Sequence, residues 1–344
     1  MVAGGCNVSL VCDNQGTWWL ALRCDMSVET HKTQQSAARI RQLDSWVYFD
    51  GEFLRYRDLG LGLMTHALHY GTGVFEGIRA YWNAEQRQLR LLQAAAHFDR
   101  LRRSARILKI ELRYSTEELI SVSAELLRRN GYQEDTYVRP IAFTSSEEIG
   151  VRLHNIEHSL GIYTSPFGNY VDVDSGIRCH VTAWRRIDDN AAPARAKITG
   201  TYINGALAKS DAIDAGYDEA IVLTSDGHVS EGSAENLFII RDGTLITPPV
   251  SDNILEGITR RLVIELARDE GFGVVERQID RTELYICDEL FLCGTGAQIS
   301  PVVEVDGRKI GGGGIGAVTA RLQHIYFPAV HGDLAKYHHW SMVV

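Results

Sequence analysis

The chain has 344 residues, of which 45% are hydrophobic, and this predicts about two domains with packed cores. No apolar run approaches the roughly 18 residues that cross a bilayer, which argues against an integral membrane protein. The net charge of -9, without a basic tract, argues against binding to nucleic acid or anionic lipid. The six cysteines show no metal-ligand spacing and predict free thiols in a reducing cytoplasm, with no metal site.

The chain begins with a segment, residues 1–44, that has no sustained hydrophobic period and predicts a poorly ordered extension. Regular structure is expected from residue 46, where two apolar runs, 46–49 and 52–54, flank Asp50-Gly51. Asp-Gly between two such runs is a signal for a two-residue hairpin turn. The ordered chain is therefore predicted to open with a β-hairpin.

Two helices are predicted in the first half of the chain. The first covers residues 97–109, whose apolar side chains recur on one helical face. The second begins near Ser115, which has the capping-box spacing with Glu118, and ends before Gly131.

The run 137–143 predicts a strand, and Pro140 within it belongs at a sheet edge or a bulge because proline cannot donate a ladder hydrogen bond. The second half predicts helices at 201–215 and 258–270 and a buried strand at 290–293.

Hairpin signals are frequent and no sustained βαβ alternation appears, so the fold class is predicted to be α+β. We expect a small domain at 45–165, a connecting loop at 166–178 and a large domain at 179–344.

Three loops carry the chemical signal. Residues 257–260 open an amphipathic helix, and a helix N-terminus binds anions, although many helices start in this way. Residues 294–297 follow a buried strand with two glycines that let a ligand approach the backbone. Lys197 lies between apolar and small residues, where desolvation would make its amine nucleophilic, whereas most lysines are solvated surface residues.

Five segments in chain order carry a resemblance: HALHYGTGVFEGIR at 66–79, YVRP at 137–140, KITGTYIN at 197–204, VSEGSAENLF at 229–238 and LEGITR at 255–260. Together they resemble the branched-chain aminotransferases, which are pyridoxal-phosphate enzymes of fold type IV. The resemblance runs from about residue 46 to the C-terminus and implies a two-domain architecture like that of D-amino acid aminotransferase.

The resemblance implies a role for each matching cofactor residue. Lys197 matches the lysine that holds pyridoxal 5'-phosphate covalently and later moves the substrate proton. Glu231 matches the carboxylate that faces the pyridine nitrogen, and Tyr202 matches the tyrosine near the phenolic oxygen. The residues that match the phosphate site are Arg100, Gly257, Ile258, Thr259 and Thr295.

The implied substrate-binding residues are Tyr70, Phe75, Gly77, Tyr137, Arg139, Val151, Phe167, Tyr170, Gly296 and Ala297. Tyr70 and Val151 match elements that a neighbouring subunit supplies, which implies at least a homodimer, with a hexamer as the larger alternative. Arg139 matches the residue that receives the side-chain carboxylate of glutamate. Arg79 lies in a matching segment, where a structural ion pair is an equally good interpretation.

The implied function is reversible amino transfer from leucine, isoleucine or valine to 2-oxoglutarate. The implied location is the cytoplasm, and the implied partners are small-molecule amino acids and 2-oxo acids, with no nucleic acid and no membrane. A D-amino-acid or amine aminotransferase, or an aminodeoxychorismate lyase, is the alternative in the same fold. A binding protein that has lost catalysis is an alternative of another class, which the presence of both Lys197 and Glu231 disfavours.

Overall fold

The computed structural model describes residues 7–12, 18–23, 42–168 and 175–344. Most of the predicted extension and the predicted site residue Tyr170 lie outside the described residues. By internal contacts the chain divides into a unit of residues 1–45 and 55–59 and a larger unit of residues 46–54 and 60–344. The predicted boundary between a small and a large domain stays a prediction.

The α-helices of the described chain are α1 (His66–Tyr70), α2 (Ala94–Ile107), α3 (Thr116–Asn130), α4 (Tyr202–Asp214), α5 (Ile258–Asp269) and α6 (Ala317–His331). The capping box before α3 is confirmed, because the Ser115 hydroxyl accepts from Glu118 N and the Glu118 carboxylate accepts from Ser115 N. Gly131 ends α3 at a φ of 62°. The second helix of the predicted pair therefore begins and ends where the sequence indicates, while α2 begins three residues before its prediction. None of the described helices combines the length and apolarity that crossing a bilayer requires.

The described strands of the first half are β1 (Asn7–Cys12), β2 (Trp18–Arg23), β3 (Trp46–Phe49), β4 (Glu52–Arg55), β5 (Gly73–Phe75), β6 (Ile78–Asn83), β7 (Gln88–Leu92), β8 (Thr136–Thr144) and β9 (His158–Pro166). Those of the second half are β10 (Ile177–Arg185), β11 (Glu219–Leu223), β12 (Val229–Gly232), β13 (Asn236–Arg241), β14 (Thr244–Thr247), β15 (Gly273–Glu276), β16 (Glu289–Gly294), β17 (Gln298–Val305), β18 (Arg308–Lys309) and β19 (Ser341–Val343). β1 and β2 pair antiparallel, and the hairpin of β3 and β4 is confirmed.

The other described strands form two large sheets. The strand pairs of the eight-stranded sheet are antiparallel, and those of the nine-stranded sheet are both parallel and antiparallel. An eight-stranded sheet has the order β19-β7-β6-β8-β9-β3-β4, with β5 paired to β8. A nine-stranded sheet has the order β12-β11-β10-β17-β16-β13-β14-β15, with β18 paired to β17. The α+β class is therefore confirmed, and the C-terminal β19 returns to the sheet of the first half.

Pro140 does not lie on an edge strand, because β8 is flanked by β9 on one side and by β5 and β6 on the other. Of the two predicted positions, a sheet edge or a bulge, the edge is wrong, and the reason is local. The Pro140 carbonyl accepts from Glu76 N at 3.0 Å, in the short interval between β5 and β6. The missing N–H of proline thus faces a break in the neighbouring strand, where no ladder bond is lost.

The segment of Lys197 is tied to β5 by backbone hydrogen bonds. Phe75 N donates to Lys197 O at 3.0 Å, Thr199 N donates to Gly73 O at 2.8 Å, and Gly200 N donates to Gly71 O at 3.1 Å. A Cβ atom at Gly71, whose φ is 64°, would lie 2.7 Å from Gly200 Cα, so this approach requires glycine. The connection fixes Lys197 against the sheet of the first half.

Candidate active site

A cavity of about 540 Å³ is lined by residues of both large sheets. Its size is in the range of small-molecule binding sites. The predicted site residues that line it are Phe75, Gly77, Arg100, Tyr137, Arg139, Phe167, Lys197, Tyr202, Glu231, Gly257, Ile258, Thr259, Thr295, Gly296 and Ala297. Segments far apart in the sequence therefore line the same cavity.

Lys197 contributes its amine to this cavity from the segment that precedes α4. Its Nζ donates to the hydroxyl of Tyr202, and it lies 4.9 Å from the centre of the Phe75 ring. The backbone N–H of Lys197 donates to the Ser104 hydroxyl at 3.1 Å, which anchors the segment to α2. The amine is thus held between two aromatic rings, in a cavity large enough for a small molecule.

Glu231 places a buried carboxylate on the same cavity. It accepts from Asn236 Nδ2 at 2.9 Å and from Leu255 N at 3.0 Å, and Arg186 Nη2 lies 2.8 Å from its other oxygen. Burial raises the pKa of Glu231 above its usual value, while Arg186 and the Leu255 N–H act in the opposite direction. The sequence does not reveal Arg186 as a site residue, because nothing in the pair Arg185-Arg186 indicates which of the two side chains points to the cavity.

Two groups of backbone N–H donors beside the cavity have no acceptor among the described residues. The N-terminus of α5, at Ile258 and Thr259, has no side-chain cap, and Gly257 at its start lines the cavity. The turn between β16 and β17 supplies Gly296 and Ala297, whose N–H groups donate to no group of the described chain. Unsatisfied donors at such positions bind anions.

Arg100 lines the cavity but is already paired. Its Nε and Nη2 donate to the two oxygens of Glu76 at 2.6 and 2.8 Å, and its Nη1 donates to Glu256 O at 2.8 Å. His97 Nδ1 lies 2.7 Å from the same carboxylate. Burial raises the pKa of Glu76, but Arg100 and His97 outweigh it and hold that pKa well below its usual value.

In this buried group the Nε and Nη2 atoms of Arg100 face Glu76, and the match of Arg100 to the phosphate site stays a prediction. The sequence offered one usable signal: His97 and Arg100 lie three residues apart on one face of a helix. Glu76 gave no signal of its own.

Aromatic rings and Arg139 form another part of the cavity wall. The Tyr137 and Phe167 rings lie 4.8 Å apart, and the Arg139 guanidinium lies 4.5 Å from the Phe75 ring. Arg139 Nη2 donates to the Tyr137 hydroxyl at 2.8 Å. A Cβ atom at Gly77 would lie 1.8 Å from that hydroxyl, so glycine is required for the ring to lie there.

Two predicted residues lie away from this cavity. Tyr70 ends α1, and its hydroxyl accepts from Gly150 N at 3.1 Å. Val151 is 88% exposed, and Leu63, Leu68 and Ile149 are also exposed. Neither Tyr70 nor Val151 lines the cavity of its own chain, which fits their expected contribution to a neighbouring subunit.

The family model described as amino-transferase class IV matches residues 73–305 of the chain. A protein of Aquifex aeolicus (strain VF5) named "Probable branched-chain-amino-acid aminotransferase" is 48% identical over 296 residues, which cover 86% of this chain and 95% of the relative. The chain belongs to the branched-chain-amino-acid aminotransferases of class IV. The alternatives of a D-amino-acid or amine aminotransferase and of a lyase find no support in the name of this relative.

Solved aminotransferase structures share the fold. The branched-chain aminotransferase of Thermoproteus uzoniensis with norvaline has a TM-score of 0.84 and 42% identity, covering 87% of this chain and 99% of that chain. The T.th. branched-chain amino acid aminotransferase complexed with N-(5'-phosphopyridoxyl)-L-glutamate has a TM-score of 0.82 and 38% identity, covering 87% of this chain and 98% of that chain. The fold-type IV architecture is therefore confirmed.

Class IV aminotransferases use pyridoxal phosphate, and the cavity of this aminotransferase suits that group. The uncapped N-terminus of α5 fits a phosphate dianion, Lys197 fits an aldehyde, and Glu231 fits a protonated ring nitrogen. These three features face one cavity, so the residues present fit the cofactor.

Proposed function

We propose that this protein transfers amino groups reversibly between leucine, isoleucine or valine and 2-oxoglutarate, with pyridoxal phosphate as cofactor. The observation that carries the proposal is one cavity that combines the Lys197 amine, the Glu231 carboxylate and unpartnered backbone N–H groups with aromatic walls. The T.th. relative complexed with phosphopyridoxyl-L-glutamate and the Thermoproteus relative with norvaline support an acidic and an apolar substrate.

In this proposal Lys197 holds the cofactor, Glu231 faces its ring nitrogen and the Tyr202 hydroxyl faces its phenolic oxygen. The phosphate-binding groups are Arg100, Gly257, Ile258, Thr259 and Thr295. When bound, pyridoxal phosphate withdraws electrons from the substrate α-carbon and so makes its proton acidic. Lys197 Nζ would be freed when the substrate amino group takes its place on the cofactor, and the free amine would then be the base that takes this proton. Its contact with Tyr202 holds it in place.

The substrate α-carboxylate is proposed to bind the Tyr137 hydroxyl and the N–H groups of Thr295 and Gly296, beside Ala297. Phe75, Gly77 and Phe167 shape the apolar space for the branched side chain. Arg139 would pair with the side-chain carboxylate of glutamate, because its Nε is buried without a hydrogen-bond partner in the described chain. Tyr170, outside the described residues, is the remaining proposed contact.

We also propose that the protein forms a homodimer or a larger assembly such as a hexamer, in the cytoplasm. Exposed apolar side chains beside α1 and around Ile149 and Val151 would be covered by the neighbouring subunit. Light scattering on the holoenzyme tests this, and a monomer at micromolar concentration that remains fully active would contradict it.

The activity is tested with a panel of amino acids and 2-oxo acids on the purified holoenzyme. Leucine, isoleucine and valine should react with 2-oxoglutarate, while D-alanine and simple amines should react at least about 100-fold more slowly. A preference for D-amino acids or amines would refute the proposal.

A further inference from the structure

His66 is a fully buried histidine on α1 that none of the proposed roles uses. Its Nε2 lies 2.7 Å from Gly150 O, and its Nδ1 lies 2.9 Å from the hydroxyl of Thr144, at the end of β8. A carbonyl oxygen can only accept, so Nε2 carries a hydrogen and donates it to Gly150 O. A buried ring with hydrogen bonds at both nitrogens is held in one orientation, and His66 therefore fixes the carbonyl of Gly150.

Gly150 is held at its backbone N–H as well. Gly150 N donates to the hydroxyl of Tyr70 at 3.1 Å, and the rings of Tyr70 and His66 lie 4.5 Å apart on α1. His66 N also donates to Ser146 O at 2.9 Å, which ties the start of this loop to the start of the helix. The φ of Gly150 is 151°, in a region that favours glycine. These hydrogen bonds join α1 and residues 146–150 into one unit.

This unit presents apolar side chains at the surface of its own chain. Ile149 and Val151 flank Gly150 and are 84% and 88% exposed, and Leu63 and Leu68 are also exposed. Clusters of exposed apolar side chains mark interaction surfaces. A loop that is ordered before it binds loses less entropy on binding. The hydrogen bonds at Gly150 therefore keep Ile149 and Val151 in a fixed position for a partner.

We propose that His66 is the positioning residue that presents Val151 to the active-site cavity of a second copy of this chain. His66 does not line the cavity of its own chain. It acts in trans, by holding the backbone of Gly150 where Val151 completes the neighbour's cavity. The proposal rests on the proposed function and on the expected contribution of Val151 to a neighbouring subunit.

The first measurement uses two substitutions that separate the two ring nitrogens. His66→Asn reaches only the position of Nδ1 and leaves Gly150 O without its donor, whereas His66→Gln reaches the position of Nε2 and can donate to Gly150 O. His66→Asn is expected to raise the KM of leucine by about 5- to 50-fold and to change kcat less than about threefold, because the loop contributes equally to ground-state and transition-state binding. His66→Gln should restore most of the affinity. The matched control is His331→Asn, since His331 on α6 also bonds a backbone carbonyl, Phe327 O at 2.8 Å.

Hybrid assemblies decide whether His66 acts on its own cavity or on its neighbour's. A tagged chain with intact Lys197 is co-expressed with a large excess of an inactive Lys197→Ala chain, so that nearly every active cavity faces a loop of the inactive chain. With His66→Asn on the active chain, the KM of leucine should stay near the wild-type value, because the neighbour's loop is intact. With His66→Asn on the inactive chain, the KM should rise as it does when every chain carries the substitution.

Each result decides the proposal. The opposite pattern in the hybrids would mean that His66 acts on its own cavity, and equal KM values in both hybrids would mean that it only supports the fold. An unchanged KM when every chain carries His66→Asn would also refute the role. If that variant does not assemble, Thr144→Val removes the hydroxyl beside Nδ1 and should give the same pattern with a smaller rise. A wild-type enzyme that fails to transaminate leucine, or a fully active monomer, would refute the proposed function instead.

Discussion

Arg186 Nη2 lies 2.8 Å from Glu231 Oε1, and this ion pair favours the charged form of the carboxylate on the cavity. Burial raises the pKa of Glu231, and Arg186 is the largest influence in the opposite direction. In the proposed mechanism Glu231 must be negative to keep the cofactor nitrogen protonated. Arg186 is therefore expected to act through Glu231 and not through the substrate.

We predict that Arg186→Met lowers kcat by about 10- to 100-fold, which corresponds to about 1.4 to 2.8 kcal/mol of lost transition-state stabilisation. Glu231→Gln should lower it by roughly 100- to 1000-fold with the cofactor still bound. Because both changes act on one interaction, the double variant should be little worse than Glu231→Gln. The neighbouring, exposed Arg185 supplies the control Arg185→Met, and additive losses in the double variant would separate Arg186 from Glu231.

Lys197→Ala is predicted to abolish transamination, because no other lysine lines the cavity among the described residues. Lys209→Ala is the comparison, since Lys209 lies on the following helix and its Nζ is 2.6 Å from the buried Glu219. That change should leave most of the activity and destabilise the fold by about 1–3 kcal/mol, because Glu219 loses its partner. Borohydride reduction and peptide mapping should find the cofactor on Lys197, and a label on Lys209 would overturn the assignment.

The sequence predicted the parts of the site that have local signals. In the site, the N-terminus of α5 is marked by Gly257 followed by apolar residues at helical spacing. In the fold, the hairpin of β3 and β4 is marked in the same local way by Asp50-Gly51. Lys197 could not be chosen from spacing alone, because any lysine has the same local chemistry, and only the resemblance singled it out.

The interactions that the sequence could not predict are pairs between distant positions. Arg79 and the carbonyl of Thr295 are separated by a long stretch of chain, and their contact depends on how the two sheets meet. The pair of Glu76 and Arg100 depends on how α2 packs beside β5. A buried arginine and a surface arginine look alike until that packing is known. Pro140 shows the same limit for the fold, since its position depends on a break in a neighbouring strand.

Glu235 predicts a pH dependence of stability. Burial, together with the nearby Glu219 carboxylate, raises the pKa of Glu235 to about 8. The folded protein then keeps this proton up to about pH 8, whereas the unfolded chain loses it near its ordinary pKa of 4.5. The unfolded state binds fewer protons across that range, so this group lowers the free energy of unfolding as the pH rises from about 4.5 to 8.

Glu235→Gln is expected to remove this dependence, because the amide stays neutral. Urea unfolding of the holoenzyme should give similar stability for both proteins at pH 5. At pH 9 the variant should be more stable than the wild type by up to a few kcal/mol, since one pKa unit corresponds to about 1.4 kcal/mol. Glu85→Gln, at an exposed position, should show no such difference. Parallel pH curves for wild type and Glu235→Gln would contradict the raised pKa.

Arg139 is predicted to decide between acidic and apolar substrates. Its Nη2 donates to the Tyr137 hydroxyl, its guanidinium lies over the Phe75 ring, and its buried Nε has no hydrogen-bond partner in the described chain. A carboxylate entering the cavity would satisfy that donor, whereas the side chain of leucine would pack on the rings and the arginine stem. No carboxylate of the described chain forms an ion pair with Arg139, which leaves its charge available for substrate.

Arg139→Met should therefore lower kcat/KM for glutamate and 2-oxoglutarate by about 30- to 150-fold more than for leucine, a difference of about 2–3 kcal/mol. Single-turnover reactions of the holoenzyme with glutamate and with leucine measure this ratio directly. The exposed Arg113 supplies the control Arg113→Met, which should leave both rates unchanged. Equal losses for glutamate and leucine would mean that Arg139 supports the position of Tyr137 and Phe75 and does not select the substrate.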